Sequence, residues 1–103
     1  MTELLERKRQ DIEEICSRAG VARLEVFGSA LRDDFKPEES DVDLLVEFKS
    51  MEPYARVDAY FRMRDELHVL LGRGVDLVMT GAIKNRYIAR EIERTKQLIY
   101  AAL

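Results

Sequence analysis

Apolar positions recur along this chain at two periods, near 3.6 and near 2 residues, and the switches between them mark out its elements. From about Thr2 to Ala19, Leu5, Ile12, Ile15 and Cys16 give an approximate helical stripe, with Gly20 placed to end the helix. Val21 to Phe27 alternates, with Ala22, Leu24 and Val26 on one side and Arg23 and Glu25 on the other, which predicts a strand. A short helix is expected from Ser29, then a polar loop from Asp33 to Ser40 that contains Pro37. Asp41 to Phe48 predicts a second strand, Val42, Leu44, Val46 and Phe48 sharing one face. Pro53 opens a further helix, with Val57, Phe61, Leu67, Leu70 and Leu71 at helical spacing until Gly72. Val75 to Met79 reads as a third strand, ending at Thr80-Gly81. A last helix is expected from about Ala82 to Ala101, with Ile88, Ile92, Thr95 and Ile99 on one side.

This alternation predicts an α/β (α+β) domain, a small mixed β-sheet flanked by helices. The link between the first two strands is only about a dozen residues, so their functional ends meet most simply in an antiparallel pair.

Composition narrows the setting. At 103 residues the chain fits one domain, residues 1–103, and it carries no low-complexity run or internal repeat. Its 47% hydrophobic and 36% charged residues suit a soluble fold with a highly charged surface, and a net charge of −3 argues against direct nucleic-acid binding. No apolar run approaches a membrane span, and Met1-Thr2-Glu3-Leu4-Leu5-Glu6 lacks the form of a signal peptide, so the cytoplasm is expected. The lone Cys16 lies on an apolar helix face and reads as a small buried hydrophobe.

The candidate chemistry is concentrated between the first two strands. Gly28-Ser29 is followed, after eleven intervening residues, by Asp41-Val42-Asp43. Asp41 and Asp43 share a strand face, and two neighbouring carboxylates repel unless a cation sits between them. A hard divalent ion with oxygen ligands, normally Mg²⁺, meets that need. Asp76 lies in an otherwise apolar third strand beside Gly74, where an isolated carboxylate pays for desolvation unless paired, protonated or on a metal. If that strand lies beside the second, three carboxylates converge on one or two ions, the set needed for metal-assisted phosphoryl or nucleotidyl transfer.

On these residues the chain resembles the minimal nucleotidyltransferases, the smallest branch of the DNA polymerase beta-like superfamily. That branch is marked by a strand ending in Gly-Ser, an Arg shortly after, a DxD on the next strand and a later acidic residue. Gly28, Ser29, Arg32, Asp41, Asp43 and Asp76 match those positions. The family's usual spacing from Ser to the first Asp is one residue shorter. The extra residue falls in Lys36-Pro37-Glu38-Glu39-Ser40, a loop expected to absorb it. The resemblance implies nucleotide binding by Gly28, Ser29 and Arg32, with catalysis and metal binding by Asp41, Asp43 and Asp76. It also implies two Mg²⁺ ions, ATP as substrate, and an antitoxin that transfers AMP to a tyrosine of a HEPN-type ribonuclease toxin.

Competing readings remain open at this level. Gly28-Ser29 alone is a turn with a helix-capping serine, and the aspartates alone are solvated edge residues. Arg32 can pair with Asp33 or Asp34, and Glu47 reads as structural or exposed. His68 reads as a surface or half-buried residue with no catalytic part. Lys84, Arg86, Arg90, Arg94 and Lys96 read as a solvated helix face, with Lys84 or Arg86 as an alternative nucleotide or partner contact. Tyr54, Tyr60, Tyr87 and Tyr100 suit core edges or an interface. The functional alternatives are a module that neutralises its partner by binding alone and a transferase acting on a small molecule.

Overall fold

The computed structural model describes residues 3–31 and 41–103. The elements in chain order are α1 (Glu3–Ala19), β1 (Val21–Phe27), a 3-10 turn η1 (Gly28–Leu31), β2 (Val42–Phe48), α2 (Pro53–Leu71), β3 (Val75–Met79), α3 (Arg86–Thr95) and β4 (Gln97–Ala101). Arg32 and the expected loop from Asp33 to Ser40 lie outside the described residues.

The four strands form one mixed sheet in the order β3-β2-β1-β4. β1 pairs antiparallel with β2, as the short link requires, and antiparallel with β4, while β2 and β3 run parallel. In register, Leu24 faces Val46, Val26 faces Leu44, and Leu44 faces Leu77. Register partners share a face, so these residues form one apolar sheet surface. Against it pack Leu5, Ile12 and Cys16 of α1 and Met63, Leu67 and Leu71 of α2. Polar ties fix the helices in place. The Arg18 guanidinium meets Glu66 at 3.0 Å between the two helices, the Tyr60 hydroxyl donates to the Leu77 carbonyl at 2.6 Å, and Arg9 donates to the Leu98 and Ile99 carbonyls. Among the described residues no helix is long and apolar enough to cross a membrane.

Two expectations are corrected. The single closing helix is instead α3 followed by β4. Asn85 caps α3 by accepting from the Tyr87 and Ile88 amides, so the helix starts at Arg86 rather than near Ala82. It ends at Thr95, where Lys96 is drawn to the sheet by Glu25, and the chain continues along the free edge of β1. Ile99 therefore enters the core from a strand. The buried stripe of α2 is also displaced: Met63, Leu67 and Leu71 face the sheet, while Val57 and Phe61 lie on the flank at 48% and 47% exposure.

The second sheet face carries Arg23, Glu25 and Phe27 of β1 beside Glu47, Leu45 and Asp43 of β2. Glu25 is buried at 4% exposure, in contact with Lys96 at 3.1 Å and Arg23 at 3.3 Å. This pairing offsets the desolvation of its charge and anchors the end of α3 over this face.

Candidate active site

The candidate residues gather at one end of the second face. Phe27 is the register partner of Asp43, and Asp43 is the register partner of Asp76. The three form a transverse row across β1, β2 and β3, about 4.8 Å between neighbours. Asp41 precedes β2 by one residue, beside the Val42 amide that donates to the Gly74 carbonyl at 3.0 Å. Asp43 is half-buried, whereas Asp41 and Asp76 are exposed.

Two glycines make this arrangement possible. Gly28 has φ of 68°, and a Cβ there would meet the Asp43 carboxylate, 3.2 Å from its Cγ. The turn into η1 thus needs a residue tolerant of the left-handed region and small enough to lie against Asp43. Gly74 has a different reason: a Cβ would fall 2.8 Å from the Cγ of Asp41. The Gly28 turn and the second Asp of the DxD are in direct apposition, as are Gly74 and the first. That role for Gly74 was only half-visible in the sequence, where it read as a permissive neighbour of Asp76.

Two expectations about the carboxylates change. Asp76 is exposed, so no burial penalty demands that it be paired. Among the described residues no group of three or more His, Cys, Asp or Glu side chains is gathered to hold an ion, so the expected three-way convergence is not preformed. The donor set still suits Mg²⁺. Such an ion takes one or two carboxylates and fills its shell with water and substrate phosphates rather than sitting in an all-protein cage. Asp43 and Asp76, opposite one another on one face, supply hard oxygen donors of that kind.

The remaining candidates separate. Ser29 lies within η1. Arg32 lies outside the described residues. Glu47 is exposed near the other end of β2, and His68 is exposed with its Nδ1 2.7 Å from the Arg73 carbonyl, a local contact at the end of α2. Cys16 is fully buried, and burial, helped by the Glu13 charge, pushes its thiol up to about 12, so it remains an unreactive thiol at neutral pH. Lys84 donates to the Gly81 carbonyl, and Arg94 pairs with Glu91.

Comparison with known proteins gives the family. Residues 8–99 match the nucleotidyltransferase domain. Curated relatives named protein adenylyltransferases match over most of the chain. One from Methanocaldococcus jannaschii is 45% identical over 80 residues, 78% of this chain and 76% of its own. A solved structure assigned as a minimal nucleotidyltransferase is 32% identical with a TM-score of 0.76, covering 92% of each chain. At the level of fold alone, the chain is similar to a protein in a solved complex of tri-AMPylated Shewanella oneidensis HEPN toxin with MNT antitoxin. That likeness has 16% identity and a TM-score of 0.63, over 94% of this chain and 72% of the other.

Proposed function

The chain belongs to the nucleotidyltransferase-domain family, and from that premise we propose a Mg²⁺-dependent protein adenylyltransferase that acts as a cytoplasmic antitoxin. Its donor is ATP, its acceptor a tyrosine of a HEPN-type ribonuclease partner. The observation that carries the reading is the transverse row Asp76–Asp43–Phe27, ending against the Gly28 turn. It brings two carboxylates of neighbouring strands onto one sheet face beside the turn that follows Phe27. The relatives' shared name supports the protein acceptor, and the AMPylated HEPN complex supports its class.

In this reading Gly28 and Ser29, with Arg32, hold the β- and γ-phosphates. Asp41, Asp43 and Asp76 would hold Mg²⁺, which supplies charge neutralisation at the phosphates and acidity at a bound hydroxyl. Asp76, nearest the β3 edge, receives the proton of the tyrosine hydroxyl, whose ordinary pKa near 10 keeps it protonated at neutral pH. The tyrosine oxygen forms a bond to the α-phosphorus as the bond to the bridging oxygen breaks, and pyrophosphate leaves with that electron pair. Asp43, against Gly28, would be a ligand of that Mg²⁺ ion rather than of the anionic phosphates, which would otherwise repel it. The product carries a negative phosphodiester that would repel RNA from a ribonuclease site.

The alternative of neutralisation by binding alone gives a distinct result. With purified partner, α-phosphate-labelled ATP and Mg²⁺, the wild type is expected to label the partner and stop its ribonuclease activity. Excess EDTA and the Asp41→Asn/Asp43→Asn protein should each abolish labelling. Equal inhibition by the double variant without labelling would establish the binding-only reading instead.

A further inference from the structure

The strand that carries Asp76 lies at the end of the sheet. β3 is five residues long and pairs on one side only, with β2. Of its side chains Leu77 alone is buried. In a parallel pair, alternate residues of a strand turn both amide and carbonyl to the same neighbour. The Val42 amide donates to the Gly74 carbonyl at 3.0 Å, and the Thr80 amide to the Val46 carbonyl at 2.8 Å. That phase turns Asp76 and Val78 toward β2 and leaves the Leu77 carbonyl pointing to the open edge. There the Tyr60 hydroxyl of α2 donates to it at 2.6 Å.

We propose that Tyr60 is a positioning residue for the transfer: by holding the Leu77 carbonyl, its hydroxyl fixes the edge strand so that Asp76 stays opposite Asp43. The inference rests on the nucleotidyl-transfer reading and deepens it by naming what sets the outermost carboxylate. β2 bonds the Asp76 backbone from the inner side. Tyr60 holds the carbonyl of the next residue from the outer side, so the short strand is gripped across its width at the point where the carboxylate leaves it.

The tie matters more for placement than for energy. A neutral hydrogen bond contributes modestly to stability, whereas a misplacement of about 1 Å at a reacting group can cost about 100-fold in rate. A tie that only fastened α2 to the sheet would carry the opposite weighting, stability lost with chemistry intact. The Tyr60 ring is itself held in place. It meets Phe61 edge to face with centroids 5.1 Å apart, and the Arg64 guanidinium lies 4.9 Å over the Phe61 ring.

Tyr60→Phe removes the hydroxyl and keeps the ring. With the whole chain and Mg²⁺, it is expected to lower kcat for labelling the HEPN-type partner from α-phosphate-labelled ATP about tenfold. ATP affinity, measured by calorimetry, should stay within about twofold. Amide hydrogen exchange followed by NMR should quicken at Asp76 and Val78 and stay unchanged at Leu24 in the centre of the sheet. Arg18→Gln, which breaks the tie between α1 and α2 at Glu66, should keep kcat within about twofold. Three results would each overturn the positioning role and leave the transferase reading standing: turnover of Tyr60→Phe within about twofold of the wild type, equal losses of affinity and turnover, or slowed turnover with β3 exchange unchanged. A wild type that labels no partner would overturn that reading and the inference with it.

Discussion

Gly28 joins backbone conformation to chemistry within one residue. Its φ of 68° and its contact with Asp43 leave no room for a side chain. Gly28→Ala is expected to cost about 1–2 kcal/mol from the left-handed conformation and the displaced carboxylate, and to remove most AMP transfer. Thermal melts and turnover measured together check both parts; a stable variant with full turnover would contradict the placement. Glu25 and Lys96 are a second pair of this kind. The Glu93 carboxylate, then Glu25, raises Lys96 above the ordinary lysine value of 10.5, despite some desolvation. A raised folded pKa contributes stability that is complete below 10.5 and lost as pH rises through the folded value. The melting temperature should therefore fall above that pH, and Lys96→Met should remove that part of the alkaline loss. At neutral pH the substitution is expected to cost about 2 kcal/mol, since Arg23 still partners Glu25. The Gly28 turn was legible in the sequence, but the Glu25–Lys96 pair was not. Glu25 reads there as the polar side of an alternating strand, and only the fold brings Lys96 to it.

At the scale of elements, the first three strands and two long helices were legible because each has one buried face and a clear stop. The C-terminal segment was not. Ile88, Ile92, Thr95 and Ile99 keep helical spacing across the junction, so periodicity alone runs α3 and β4 together. What divides them is tertiary: the open edge of β1 needs a partner, and Lys96 is held by Glu25 at the turn. The shift of the α2 stripe has a similar origin. Val57 and Phe61 are apolar, but the residues of α2 buried against the sheet are Met63, Leu67 and Leu71. Ile99→Ala, at 2% exposure, is expected to cost about 3 kcal/mol. Leu98→Ala, at 42% exposure, should cost no more than about 0.5 kcal/mol. Denaturant melts of the two variants check the strand; equal effects would favour a continuous helix.

For the whole molecule, the sheet is a two-sided device. One face is sealed by α1 and α2, and the other aligns Asp76, Asp43 and the Gly28 turn. That Asp43 and Asp76 lie side by side was legible, because the sequence predicts both strands and the aspartates take equivalent positions in them. The exposure of Asp76, and the absence of a gathered group of three carboxylates among the described residues, were not, because both follow from the edge position of β3. The exposed placement of Asp76 fits an acceptor that arrives as a separate molecule over the β3 edge. The direct measurement is intact mass spectrometry of a HEPN-type partner after incubation with this protein, ATP and Mg²⁺. The partner is expected to gain one or more adenylyl groups and lose ribonuclease activity, with no gain when Asp43→Asn replaces the wild type. A partner that is silenced with its mass unchanged would contradict adenylyl transfer as the function.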